Sequence, residues 1–128
     1  IAERLRRSRL AGGDRLVRRA LFGPEAPRPV VELGLGLVRS TPVEVVADFF
    51  PTLRAHDKYA ALAGLREVPA AILVGELDRL TPLRHSQAIA RALPQAELVM
   101  VRGAGHCLPL ERPRPVTTQI RDLVDRAS

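Results

Sequence analysis

The apolar positions of this chain change pattern near residue 65. Before it they recur at helical spacing. After it come two short unbroken apolar runs, 70–74 and 98–101. Neither run holds a charge, and both are too short for a stable helix. Runs of this length fit strands buried on both faces, as in a parallel sheet. Between them, Thr81 and Pro82 read as an N-cap followed by proline at the first helical position. Ser86, Ile89, Ala90 and Leu93 then share one helical face, and Pro94 stops the helix.

This pattern predicts a βαβ unit. A helix of about 12 residues is about 18 Å long, close to the length of a strand of about five or six residues. The crossover can therefore return the chain to a parallel neighbour, with right-handed connection. Both strands then end on one edge of the sheet, where open parallel sheets place their sites. Asp78 follows the first strand and His106 the second, so residues far apart in sequence can meet there.

The segment before this unit reads as helices. Ile1 and Leu5 share a face among Arg4, Arg6, Arg7 and Arg9, and Gly12-Gly13 is expected to break the helix. Asp14 then caps a second helix whose stripe is Leu16, Val17, Ala20 and Leu21, ended by Gly23-Pro24. A stiff loop with three prolines follows at 23–29. The apolar stretch 30–38 carries Gly34 and Gly36 and reads as an irregular helix or a lining segment. It lacks the third glycine and βα context of a dinucleotide fingerprint. Thr41 and Glu44 have the spacing of a capping box, with Pro42 in the first turn. The helix they start should run through Phe49 and Phe50 to Pro51. A further helix over 52–63 should stop at Gly64. After His106, Val116, Ile120, Leu123 and Val124 form the apolar face of a last helix expected to pack on the sheet.

Two strands make a sheet with exposed edges and little core, and the chain opens at Ile1 rather than methionine. Both features suggest the C-terminal part of a larger protein. Alone, such a part is expected to be marginally stable or to self-associate. The formal charge of +6 invites a nucleic-acid or anionic-membrane partner. With three Phe, one Tyr and no Trp, however, stacking platforms for single strands are scarce, and no nucleic-acid partner is expected. Nearly every basic residue is Arg, with Lys58 the one lysine. A solvated helix face accounts for the arginines of 1–22, and an anion-binding surface is the sharper alternative. The single cysteine, Cys107, excludes an internal disulfide framework. No stretch is long and apolar enough to span a membrane. No signal peptide is visible, so localisation stays open, with the cytoplasm favoured.

The residues that carry chemistry are few. A histidine near neutrality can serve as base and then acid, and a carboxylate can fix its tautomer. His106 and Asp78 fit those roles by placement. Glu76, two residues nearer the strand, is the competing acid. His56-Asp57 reads as helix surface, because neighbours at i and i+1 do not face each other. His85 reads as solvent-facing, and Cys107 as packing inward. The serines at 8, 40, 86 and 128 lack a nucleophile's turn, and no spacing of His, Asp and Glu suggests a metal site.

The segments G-E-L-D-R-L-T-P and G-A-G-H-C-L-P-L-E-R-P resemble the end of the α/β-hydrolase fold. In that family an acid follows the penultimate core strand and a histidine the last. Asp78 matches the acid and His106 the histidine, with Gly75, Pro82, Gly103 and Gly105 in matching places. The match covers residues 67–128. The resemblance implies an α/β fold, with a helical cap or lid over 1–64 and the C-terminal part of the core over 65–128. A cap would make 30–38, Phe49 and Phe50 candidates for the wall of a substrate pocket. The family's G-x-S-x-G nucleophile elbow is absent, which places the nucleophile (Ser, or Asp or Cys) ahead of Ile1. The implied activity is cofactor-free hydrolysis, most of all of carboxylic esters. Its implied partners are a small ester-like substrate and the N-terminal core of the same protein. The alternative is a truncated, non-catalytic hydrolase segment that binds a partner through its sheet edge or arginine face.

Overall fold

The computed structural model describes residues 2–127, and their side chains from Gly12 onward except at position 43. Helix α1 spans Ala2–Leu21, α2 Arg28–Ser40 and α3 Val43–Ala55, followed by a 3-10 helix at Tyr59–Leu65. Strand β1 is Ala71–Gly75, α4 Leu83–Ala92 and β2 Glu97–Val101. A short α5 at Leu108–Glu111 leads into α6 at Pro113–Ala127. The two strands pair in parallel, from Ala71 beside Glu97 to Gly75 beside Val101. This is the expected βαβ unit, with α4 as its crossover.

The helical half departs from expectation in four places. Helix α1 runs straight through Gly12-Gly13. Each glycine costs a helix only about 1 kcal/mol, which continuous hydrogen bonding absorbs. Asp14 is therefore not a cap; it lies mid-helix and pairs with Arg39 of α2. The face expected at Ile1 and Leu5, with its surrounding arginines, lies outside the residues whose side chains are described. Thr41 does not cap α3. Pro42 holds that position without a side-chain bond, and the Thr41 hydroxyl turns back to donate to the Leu37 carbonyl at the end of α2. Pro51 lies inside α3 rather than ending it. It forfeits one backbone bond, yet its fixed φ suits a helix. The further helix shrinks to the 3-10 turn, which starts where Asp57 accepts the Tyr59 amide, and Gly64 falls within it.

The stretch 30–38 is regular helix, and its Gly34 has a packing reason. A Cβ there would meet the Phe22 ring at 2.4 Å. Phe22, Ala26 and Val31 form a buried cluster, with Leu21, Val30, Leu35 and Cys107 packed against it. Cys107 thus packs inward as expected.

The strands are less covered than their composition implies. Val74 and Gly75 are buried, but Ala71, Ile72 and Leu73 are only half-buried and Met100 is 44% exposed. Likewise only Val116 and Leu123 of the α6 stripe are half-buried, while Ile120 and Val124 are exposed. The physical reason is width: two strands are too narrow to cover both faces of one another or the full stripe of a helix.

Candidate active site

Three tight backbone approaches build the site. The chain leaving β1 is held to the end of β2 by Glu76 N–H donating to the Val101 carbonyl, and to the loop after β2 by Leu77 N–H donating to that of Ala104, both at 2.9 Å. Gly75 permits this, since a Cβ there would lie 2.2 Å from the Gly105 carbonyl oxygen. Gly103 turns the loop at φ +67°, a conformation that glycine adopts without steric cost. The Cys107 amide donates to the Leu21 carbonyl at 3.0 Å, joining this loop to the end of α1.

These constraints bring Asp78 and His106 together. His106 Nδ1 is 2.9 Å from Asp78 Oδ2. The Asp78 side chain is 7% exposed and that of His106 is 37% exposed. Asp78 Oδ1 accepts the Leu80 and Thr81 amides, each at 2.9 Å, and Oδ2 also accepts the Thr81 hydroxyl at 2.9 Å. Burial pushes the Asp78 carboxyl up. The bonds from the Thr81 amide, His106 and the Thr81 hydroxyl outweigh it and hold the group below the usual carboxylate range. An ionised carboxylate only accepts, so the proton of this contact belongs to His106 Nδ1. In a neutral imidazole so bound, the lone pair lies on Nε2. Thr81 Oγ1 lies 3.3 Å from the same Nδ1.

Thr81 is a site residue that pattern reading assigned elsewhere. It does not cap α4; Pro82 holds that position. Its amide and hydroxyl are both spent on Asp78. The signal was the D-x-x-T spacing, which also describes a turn closed by an aspartate. Glu111 was missed as well. It is 3% exposed and accepts the Gly23 amide at 2.7 Å and the Gly105 amide at 3.0 and 3.1 Å. A buried carboxyl is tolerated when backbone donors satisfy both of its oxygens in this way. Its place in the E-R-P run was the only sign.

Glu76 stands apart from His106; it accepts the Gly103 amide at 2.9 Å and braces the loop. His85 and His56 are exposed. Burial, then the charges of Glu111 and Asp78, raise the Cys107 thiol above its usual range, which disfavours a thiolate nucleophile there. Phe49 and Phe50 are exposed on α3. Among the described residues, no three His, Cys, Asp or Glu side chains gather closely enough to hold a metal ion. No helix among them is long and apolar enough to cross a membrane.

The parallel βαβ unit with helices around it defines an α/β class, and comparison with known proteins agrees on the fold. Residues 2–119 match the model of the alpha/beta hydrolase family, and the chain belongs to that family. It is 32% identical over 73 residues to a protein provisionally named carbamate hydrolase RutD from Pseudomonas savastanoi pv. phaseolicola, covering 57% of this chain and 28% of that one. Its fold is similar to a thermophilic esterase from Thermogutta terrifontis solved with malate bound. That match has a TM-score of 0.74 at 30% identity, over 98% of this chain and 47% of the esterase. Est816, described as an N-acyl homoserine lactone degrading enzyme, shares the fold at a TM-score of 0.65 and 22% identity, over 88% of this chain and 46% of that one. The chain thus spans about half the length of these solved structures, and less of the curated relative.

Proposed function

We propose that this chain supplies the acid and histidine of a carboxylic ester hydrolase whose nucleophile lies in a preceding part of the same protein. The observation that carries the reading is the Asp78–His106 contact, with Nδ1 2.9 Å from the carboxylate. In this reading His106 Nε2 takes the proton of the nucleophile as it attacks the ester carbonyl. The imidazolium then protonates the departing alcohol, and His106 next activates the water that releases the acid. Asp78 stabilises the imidazolium and stays ionised throughout. Thr81 holds the carboxylate through its amide and hydroxyl, and Glu111 holds the backbone on which His106 is mounted. Neither touches the reacting atoms. Residues 1–64 act as the cap over the site. The esterase among the structural relatives favours an ester substrate, and the carbamate hydrolase extends the class to related acyl groups.

The test uses the full-length natural protein and p-nitrophenyl esters of graded chain length. Turnover should be abolished by a serine-directed phosphonate, and lost in His106→Ala. Wild-type rates in His106→Ala would overturn the assignment.

A further inference from the structure

One arginine cluster is not used by this reading. Arg15, Arg18 and Arg19 of α1 face Arg79 across a cavity of about 390 Å³ whose apolar floor is Phe22, Pro24 and Leu77. Positions 15, 18 and 19 are spaced i, i+3 and i+4, so their side chains share one helical face. Arg79 arrives from the Asp78 loop and donates to the Arg19 carbonyl at 3.0 Å. Arg18 donates to the Pro24 carbonyl at 3.3 Å. These bonds fix two guanidinium groups and cover carbonyl oxygens that would otherwise repel an anion.

Among the described residues, no carboxylate lines the cavity. The acids nearest in sequence are all engaged elsewhere: Asp14 with Arg39, Glu25 with Arg112, and Asp78 with Thr81 and His106. Four arginines therefore line one cavity with no carboxylate among the described residues that line it. Like charges at helical neighbour spacing repel, and an anion between them relieves that repulsion. The planar fork of arginine suits the paired oxygens of a carboxylate or phosphate, while the floor suits a short apolar stem.

We propose that this cavity is a binding site for a small amphiphilic organic anion, a carboxylate or phosphate monoester on an apolar stem. The site is distinct from the Asp78–His106 pair, although Leu77 and Arg79 flank Asp78.

The test is calorimetric titration of the full-length natural protein with hexyl phosphate, inorganic phosphate and hexanol. Hexyl phosphate should bind at one saturable site, more tightly than either of the others, and more weakly as salt rises. Arg15→Ala and Arg79→Ala should each weaken it about tenfold, the scale of a hydrogen bond to a charged group. Arg15→Lys should weaken it less than Arg15→Ala, since it keeps the charge and loses only the fork. His106→Ala should bind it as the wild type does. Absence of saturable binding, or unchanged affinity in both alanine variants, would overturn the site. Loss of binding in His106→Ala alone would place the ligand at the hydrolytic centre and overturn it too. Equal affinity for inorganic phosphate would overturn the proposal of an amphiphilic ligand.

Discussion

Glu111 accepts the Gly105 amide with both carboxylate oxygens, one residue before His106. The same carboxylate takes the Gly23 amide at the end of α1. One buried acid thus fastens the helical half to the loop that carries the histidine. Glu111→Ala should leave two buried amides without acceptors and destabilise the fold by about 3 kcal/mol. Urea denaturation checks this, with Glu25→Ala as a control that removes only an exposed ion pair with Arg112. Equal midpoints for the two variants would refute the fastening role.

Asp78→Asn should lower turnover about 10⁴-fold while leaving the fold nearly intact. The asparagine can present its amide to His106 and so favour the wrong tautomer. Steady-state kinetics on the full-length protein measure this. A loss of less than about tenfold would mean that another group orients His106.

Thr81→Val keeps the shape and the backbone bond but removes the hydroxyl that reaches Asp78 Oδ2. Turnover should fall about three- to tenfold, the worth of about 1 kcal/mol, and Thr81→Ser should restore it. Equal rates for valine and serine would show that the hydroxyl does nothing for the pair.

Acid should remove the contribution of Asp78 to stability. Its carboxyl lies below the usual range in the folded chain, so the unfolded chain binds that proton more readily. The stabilisation is complete above the ordinary aspartate value of about 4 and is lost as pH falls through the lower native value. Urea midpoints of the wild type and Asp78→Asn should converge below about pH 4. A gap between them that is constant down to about pH 2.5 would exclude Asp78 as its source.

Two glycines should respond in opposite directions to the same substitution. Gly75→Ala would press a methyl to 2.2 Å from the Gly105 carbonyl oxygen, forcing the two strand ends apart and lowering both stability and turnover. Gly36→Ala, on α2 with nothing among the described residues within 4 Å of the new Cβ, should stabilise by up to about 1 kcal/mol from helix propensity. Thermal melts of the two variants decide it, and a shift of both in one direction would contradict the packing described.

Local patterning carried the βαβ unit well. Two charge-free runs and one amphipathic stretch are short-range signals, and the strands appear within a residue of the runs. The placement of Asp78 and His106 just past the strand ends followed from that topology. The helical half was read less well, because Gly12-Gly13, Pro51 and Gly64 act as breakers only when nothing around them favours continuity. Thr41 and Thr81 show the same limit. A threonine before a proline fits a helix cap, yet both hydroxyls found other partners.

The order of the elements, the parallel pairing and the edge that carries the acid and the histidine were determined by the sequence itself, through periodicities that act over a few residues. Tertiary structure alone decided two other relationships: the closure of Gly23 and Gly105 around Glu111, and the convergence of Arg79 on α1. Each joins segments whose spacing holds no repeat. A buried carboxylate or a fixed guanidinium takes whichever donor or carbonyl the folded backbone brings within reach, and only packing determines which one that is.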